Sequence, residues 1–257
     1  IDSLRENKVM SLKTRFGNLG NILDFDNLTE ENIYVLDSPI ITNSQFKKFK
    51  KFFSKKTKVI DCTFEISSSL KDRIEAIREE AETSVREGST CLILSDRNIT
   101  DQKASIPSIL IVGAVHSHLV KLGLRGYCSL NVECSDALDT HSFAILIGVG
   151  ATTVNPYLAI DSIYQRFEKK LFGKSDFESC VVKFKKSIDA GLLKIMSKMG
   201  ISVISSYRGG CNFEAVGLSR AIVSDYFPGM SSRISGIGVI GIEKKIKELH
   251  TKFNAKN

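Results

Sequence analysis

Polar side chains follow the ends of several predicted strands and include residue types that carry out chemistry. Ser95–Arg97 comes directly after the apolar run Cys91–Leu94, and Ser206–Arg208 follows another apolar run nearer the C-terminal end. An aspartate can act as an acid or base, and an arginine can hold a carboxylate or phosphate through two parallel hydrogen bonds. Residues just past the strand ends of an open α/β sheet face the crevice where ligands bind. We therefore expect both groups in one crevice, together with Glu133 and Asn155.

Short apolar runs alternate with amphipathic stretches, and this alternation predicts the elements that position these residues. The predicted strands are Ile33–Leu36, Val59–Ile66, Cys91–Leu94, Tyr127–Glu133, Ala151–Val154 and Ile201–Ser205, after a loop over residues 1–33. The predicted helices are a Phe- and Lys-rich one capped by Ser44, Leu70–Glu87 capped by Ser69, Pro107–Leu122, one through Ala144–Ile147, 158–171, 177–198, one that begins at Phe213–Gly217, and Lys244–Lys252. Strands that alternate with helices predict an α/β fold with an open, mostly parallel sheet covered by helices.

Three local patterns suggest sites, and each has a structural interpretation that we prefer. Ser95–Arg97 is interpreted as a hydrogen-bond anchor past a buried strand rather than a catalytic group. His116 and His118 lie two residues apart on a predicted helix, so they point to different faces and are not expected to bind one metal ion. Gly148–Ala151 lies between a helix and a strand, which is the reverse of the order in a dinucleotide-binding loop, and predicts a tight turn.

The six cysteines show no CxxC spacing, and several lie inside apolar runs. We interpret them as reduced, buried thiols, because free cysteine behaves as a small hydrophobic residue. Ligands of a zinc or iron–sulfur centre usually cluster in sequence. This segment alone is therefore not expected to hold either centre.

The charge is basic, with a formal net charge of +7 over 257 residues, and it is uneven. Seven lysines fall between residues 47 and 58, among Phe46, Phe49, Phe52 and Phe53. One interpretation is a patch that binds nucleic acid or an anionic membrane. The other, which the helical spacing of Phe46, Phe49 and Phe53 favours, is a helix with its phenylalanines packed inward.

No apolar stretch approaches the roughly 20 residues of a membrane helix, and Ile1–Asn7 does not resemble a signal peptide.

Many stretches in the same order resemble one family, the large chain of bacterial and plastid-type glutamate synthases. The matching stretches are Met10–Arg15, Gly17–Asn21, Leu94–Arg97, Ile106–Ser108, Gly113–Leu119, Gly148–Ala151, Asn155–Ala159, Gly191–Ser202, Ser206–Gly209, Phe213–Leu218, Ser232–Ile234 and Gly236–Gly238. The resemblance implies that residues 1–180 form the family's central domain. Residues 181–257 would then form the first βα units of its FMN-binding (β/α)8 barrel, which is incomplete here.

The resemblance also implies the reaction of the full chain. Glutamine is hydrolysed, the ammonia passes through an internal tunnel to 2-oxoglutarate, and FMN reduces the resulting imine to glutamate. The implied partners are the other domains, 2-oxoglutarate, ammonia, and an electron-donating small subunit or ferredoxin, in the cytoplasm or plastid stroma. The N-terminal Cys nucleophile of the family and the cysteines of its iron–sulfur cluster do not occur in this segment. We expect the segment alone to be inactive; the alternative is a free-standing, non-catalytic remnant that binds partners.

The same resemblance implies which residues lie beside the cofactor. Met199, Gly200, Ile201 and Ser202 correspond to the FMN-proximal segment at the first barrel strand, and Gly200 permits close approach of the backbone to a flat ring. Ser206, Tyr207 and Arg208 would line the site past the strand end. Arg208 keeps a second interpretation, as the partner in an interdomain salt bridge. No residue is predicted to be catalytic.

Overall fold

The computed structural model describes residues 5–20, 23 and 33–254 of the chain. The first half contains α1 (Glu6–Val9), β1 (Thr14–Phe16), β2 (Tyr34–Leu36), α2 (Asn43–Phe53), β3 (Thr57–Asp61), β4 (Thr63–Glu65), α3 (Leu70–Arg86), β5 (Cys91–Ser95), β6 (Lys103–Ser105) and α4 (Ser108–Lys121). The second half contains β7 (Ser129–Glu133), α5 (Thr140–Gly148), β8 (Thr153–Asn155), α6 (Tyr157–Glu168), α7 (Phe177–Met199), α8 (Ile204–Tyr207), β9 (Glu214–Leu218), α9 (Arg220–Tyr226), β10 (Ser231–Ile237) and α10 (Val239–Asn254).

The central sheet has four parallel strands in the order β3-β5-β7-β8. Each strand therefore lies beside the strand of this sheet that precedes it in the chain, and α3, α4 and α5 form the crossovers. Residues 39–41 run along the free edge of β8, where Ile41 N donates to Val154 O at 2.9 Å and Val154 N donates to Pro39 O at 2.9 Å. The predicted α/β fold with a mostly parallel sheet and helical cover is confirmed.

One face of the sheet packs against the crossover helices. The strand residues on this face include Ile60, Leu92, Leu94, Leu130, Val132 and Val154, all buried in one large core. The predicted apolar stripe of α3, from Leu70 to Ala81, packs into this core, and Ser69 caps the helix by accepting from Asp72 N at 3.3 Å. The predicted helix and its cap are confirmed.

The other face of the sheet packs against α2. Phe46, Phe49 and Phe53 are buried against Cys91 and Ile93 of β5, while the lysines of the helix are exposed. The interpretation of this stretch as a helix with inward phenylalanines is confirmed. The predicted cap is wrong by two residues, because Thr42 rather than Ser44 accepts from Gln45 N.

Three predicted elements are wrong because pairing between distant segments overrides local pattern. Val59–Ile66 is two strands, since β3 joins the central sheet and β4 pairs antiparallel with β6. Ile201–Ser205 is not a strand: Val203 makes a single bridge to Ser11, and α8 begins at Ile204. The stretch from Phe213 forms β9 instead of a helix, because it pairs in parallel with β10. Part of the predicted loop over residues 1–33 lies outside the described residues, and the described part contains α1 and β1.

The C-terminal part of the structure is a β9–α9–β10–α10 unit that packs onto the first half of the chain. Glu243 of α10 accepts a hydrogen bond from Leu70 N at 2.9 Å, at the first turn of α3. A carboxylate there stabilises the positive end of the helix dipole. Lys247, one turn later in α10, donates to Ser68 O at 2.9 Å. Among the described helices none combines the length and apolar character needed to cross a membrane.

Candidate functional site

The carboxyl edge of the central sheet carries a connected set of polar side chains. Ser95 Oγ donates to Glu133 Oε2 at 2.7 Å, and Arg97 Nε donates to the other oxygen of the same carboxylate. The Arg97 guanidinium lies 4.0 Å above the ring of Tyr157. Both oxygens of Glu133 are therefore engaged, and Arg97 is held between a carboxylate and an aromatic face.

Asp96, which follows β5, joins the loop after β7 and the end of β6 at the same edge. Its Oδ2 accepts from Ser135 N at 3.0 Å, from Ser135 Oγ at 2.6 Å and from Ser105 Oγ at 3.2 Å. Asp96 is only 2% exposed, and burial together with this carboxylate raises the pKa of Tyr157. The interpretation of Ser95–Arg97 as an anchor agrees with these contacts, although Asp96 and Arg97 bond to different partners rather than to each other.

Asn155 and Asn131 extend the polar set along the sheet. Asn155 Nδ2 donates to Ile41 O at 2.9 Å and to Asn43 Oδ1 at 3.0 Å, which fixes the start of α2 on the edge of β8. Asn131 is fully buried; it donates to Leu92 O at 3.1 Å and accepts from Thr153 Oγ1 at 2.6 Å. The amide nitrogens of both side chains donate to the protein, whereas Asn155 Oδ1 is buried with no hydrogen-bond partner among the described residues. Their arrangement specifies strand positions rather than presenting a nucleophile.

The second predicted group lies at the opposite end of the sheet. Tyr207 is fully buried and donates to Ala144 O at 3.1 Å, and Arg208 Nε donates to Ala151 O at 3.2 Å. Ala151 precedes β8, so these contacts are at the amino end of that strand. The prediction that Ser206–Arg208 shares one crevice with Ser95–Arg97 is wrong, because residues 201–205 form no strand of the central sheet.

The segment from Met199 to Ser202 forms a surface turn at the end of α7. Gly200 ends the helix in the left-handed conformation, with φ +75°, and Met199 is 41% exposed. Ser202 is exposed, Ile201 is half-buried, and Ser202 O accepts from Ser11 N at 2.8 Å. Ser206 is also exposed. Proximity of these residues to a cofactor stays a prediction.

Arg208 belongs to a cluster of basic side chains that the sequence patterns did not bring together. Arg125 Nε donates to His116 Nδ1 at 3.1 Å, and its other nitrogens donate to two backbone carbonyls and to the Thr152 hydroxyl. Burial lowers the pKa of His116 to about 4, helped by the charges of Arg125 and Arg208. Burial, and then Arg125, lowers the pKa of Arg208 to about 10. No spacing rule could have found this cluster, because Arg125 lies in a turn between α4 and β7.

The two histidines of α4 have separate partners. His118 Nε2 lies 3.0 Å from Glu82 Oε2 of α3, on the face away from Arg125. The predicted divergence of His116 and His118 is confirmed, and among the described residues no group of His, Cys, Asp and Glu has the arrangement of a metal site. The cysteines are free thiols, of which five are buried and Cys211 is partly exposed.

The fold and its polar edge define an α/β domain whose strand-end side chains bond to one another. The family model of the glutamate synthase central domain matches residues 1–219, and the chain belongs to that family. It is 54% identical, over 99% of its length, to the large chain of NADPH glutamate synthase from Azospirillum brasilense. It is 38% identical to ferredoxin-dependent glutamate synthase from Pyropia yezoensis over 98% of its length, and 38% identical to the NADPH enzyme's large chain from Bacillus subtilis over 97%.

The chain spans 17%, 17% and 16% of the length of these three relatives. A solved structure of a flavocytochrome b2 mutant superposes with a TM-score of 0.42 and 12% identity, covering 65% of this chain and 37% of that one. The sequence resemblance is confirmed by the family match and by the relatives.

Proposed function

We propose that this chain is a segment of a glutamate synthase large chain that connects reaction centres carried elsewhere in the enzyme. The observation that carries the proposal is the carboxyl edge of the sheet, where Ser95, Asp96, Arg97 and Glu133 bond to neighbouring protein groups. A catalytic acid, base or nucleophile has to reach a substrate. Family membership together with these mutual hydrogen bonds supports a scaffold and a wall of an ammonia passage.

The activity of the full chain, under this proposal, is reductive transfer of the glutamine amide nitrogen to 2-oxoglutarate. Relatives are named as NADPH-, NADH- and ferredoxin-dependent enzymes, so either a small subunit or ferredoxin would supply electrons. Some relatives are named as chloroplastic, which supports the plastid stroma as one compartment, and the cytoplasm is the other compartment in the proposal.

The FMN-side residues in the proposal are those of the turn after α7. A Cβ added to Gly200 would meet no atom within 4 Å, so a flat ring can approach the backbone there. The cofactor would be contacted around Gly200 by the side chains of Met199, Ile201, Ser202 and Ser206. When it is bound, FMN supplies hydride chemistry. Tyr207 and Arg208, which point inward, would hold this segment in position. An iron–sulfur cluster would depend on ligands from other parts of the full chain.

The β9–α9–β10–α10 unit would begin the FMN-binding barrel. Its strands are parallel and neighbouring, as barrel strands are. Val216 and Ile234 are more than 60% exposed, at 63% and 61%, which suits strands that further barrel elements cover. The proposed boundary at 180/181 lies within α7, so that helix would connect the two domains.

Glutamate formation from glutamine, 2-oxoglutarate and reductant tests the proposal. The full-length chain with its electron donor should form glutamate, and residues 1–257 alone should form none. Glutamate formed by the segment alone would contradict a scaffold role.

The flavin side of the proposal has its own test in the full-length chain. Gly200→Val should reduce the FMN bound per chain, because it places a branched side chain where the ring approaches. Gly173→Val is the matched control, since Gly173 also has a positive φ, +61°, and open surroundings. Equal FMN content in the two variants would remove Gly200 from the flavin site.

A further inference from the structure

A cavity of about 580 Å³ lies between α6 and α7. Its apolar lining includes Ile163 of α6, Phe172 of the connecting loop, and Cys180 and Phe184 of α7. Small-molecule sites in proteins have volumes of about 300–1,000 Å³ and are lined mostly by apolar and aromatic side chains. The cavity shares no lining residue with the polar edge of the sheet or with the turn after α7, so it is a separate feature of the molecule.

Aromatic contacts hold the walls of the cavity in place. The ring of Phe177, the first residue of α7, lies 5.4 Å from that of Tyr164 and 6.1 Å from that of Phe167, both on α6. The ring of Phe184 lies 6.3 Å from that of Phe143, which is fully buried in the core. Ring pairs at such separations are stabilising. The two helices are therefore fixed relative to each other, and the cavity is preformed.

The charged side chains in the lining of the cavity are both basic. Arg166 of α6 and Lys183 of α7 line it, and no aspartate or glutamate of the described residues does. Both are exposed, and neither forms an ion pair with a carboxylate in the described part of the chain. By contrast, Lys185 of the same helix pairs with Asp189 at 3.6 Å. Lys183 Nζ donates to Ser175 Oγ at 3.4 Å, which uses one of its three protons. The cavity therefore combines an apolar lining with cations that have no anionic partner.

We propose that this cavity binds a small amphipathic anion, with its apolar body against Phe172, Cys180 and Phe184 and its head group beside Arg166 and Lys183. Burial of the apolar body supplies most of the binding free energy, because the hydrophobic effect scales with the apolar area removed from water. The two cations select a carboxylate or phosphate head group, although exposed ion pairs each contribute little. This site does not depend on the proposed function of the chain.

Photoaffinity labelling of the full-length chain, with an alkyl carboxylate that carries a diazirine, tests the site. Mass spectrometry should locate the label on peptides that contain Phe172, Cys180 or Phe184. Excess octanoate or octyl phosphate should remove the label, and the better competitor identifies the head group. Acetate, which has no apolar body, should not compete. The uncharged 1-octanol should compete about three- to tenfold more weakly than octanoate, because it lacks the ion pairs with the two cations.

Paired variants test the role of the two cations. In Arg166→Gln/Lys183→Gln, the octanoate concentration that halves labelling should rise about three- to tenfold, whereas that of 1-octanol should not change. Lys169→Gln/Lys186→Gln is the matched control, since both lysines are exposed nearby but do not line the cavity.

Three results would overturn the proposal. The first is the absence of label from these peptides. The second is competition by octanoate that is equal in the two double variants or no stronger than competition by 1-octanol, which would leave an apolar cavity without selectivity for anions. The third is a high-resolution map in which another part of the full-length chain fills the cavity.

Discussion

Arg78 of α3 and Asp225 of α9, which lie 147 residues apart in sequence, form a bidentate ion pair with both nitrogen–oxygen distances at 3.2 Å. Arg78 also donates to Ala114 O at 3.0 Å and lies 4.7 Å above the ring of Tyr226. The Arg78 side chain is 7% exposed and that of Asp225 is 55% exposed. One arginine therefore joins α3, α4 and α9, and attaches the C-terminal unit to the central sheet.

Asp225→Asn should lower the local stability of α9, because the substitution leaves the buried Arg78 with an uncharged hydrogen-bond partner. We expect a loss of about 1–2 kcal/mol in the local opening free energy, since Asp225 is partly solvated and Glu75 remains. Hydrogen exchange of the α9 amides in the full-length chain measures this loss. Asp161→Asn, at an exposed position of α6, is the control. Unchanged α9 protection in Asp225→Asn would show that the pair contributes little.

Gly113→Ala should destabilise the contact between α4 and α9. The added Cβ would lie 2.2 Å from Phe227 Cε1 and 2.9 Å from Tyr226 O. Overpacking of this kind costs about 1–3 kcal/mol, which exceeds the gain of about 1 kcal/mol from alanine in a helix. Gly126→Ala, where no atom lies within 4 Å, should be neutral. Thermal unfolding compares the two, and a Tm as high in Gly113→Ala as in the control would contradict the steric argument.

Asn131→Leu should destabilise the centre of the sheet by about 2–4 kcal/mol, because the Thr153 hydroxyl then lies buried without an acceptor. Adding Thr153→Val to that variant removes the unpaired hydroxyl and should recover part of the loss. Urea unfolding of the single and double variants gives the coupling between the two sites. A double variant less stable than Asn131→Leu would show that packing, not hydrogen bonding, dominates at this position.

His116 should make the fold sensitive to acid. Its pKa is lowered to about 4 in the folded chain by burial and by Arg125 and Arg208, so the folded ring stays neutral while the unfolded ring takes up a proton. Stability should therefore fall as the pH drops from about 6.5 towards 4, by at most about 3 kcal/mol. Tm measured at pH 6.5 and pH 5 in phosphate-free buffer should differ less in His116→Asn than in the unmodified chain. His141→Asn, at an exposed position, should keep the full difference.

Native alkylation should distinguish Cys211 from the other thiols. Burial raises the pKa of Cys91 to about 12 and raises those of Cys62 and Cys134 as well, so their reactive thiolates are scarce. Cys211 is partly exposed and should be modified first, although burial raises its pKa too. Mass spectrometry of maleimide-treated chain locates the label. Early labelling of Cys62 or Cys91 would show that the central sheet opens readily.

The sequence predicts several elements of the first half of the fold because the signals for those elements are local. The cap at Ser69, the stripe from Leu70 to Ala81 and the inward phenylalanines of α2 each depend on residues close in sequence. The failures occur where distant segments decide. Val203 forms a β-bridge with Ser11, and β9 forms because it pairs with β10. No local pattern contains that information.

The polar sites also include some contacts that local sequence patterns predict and others that depend on the packing of distant segments. Glu133 and Ser95 could be placed together because neighbouring parallel strands end at the same edge. Arg125 could not, since it lies in a turn and reaches His116 only through the packing of α4. The family resemblance implies a site role for Arg208, but its position at the amino end of β8 depends on where α8 folds.

Residues 39–41, which run along the free edge of β8, have a consequence for the order in which the sheet can be completed during synthesis. The strands β3, β5, β7 and β8 leave the ribosome in the same order in which they lie side by side in the sheet. Ile41 leaves the ribosome before all of these strands, yet its sheet partner Val154 is released last of the set. Asn155, which donates to Ile41 O, is 114 residues away. Residues 39–41 therefore cannot complete their pairing until β8 has been synthesised.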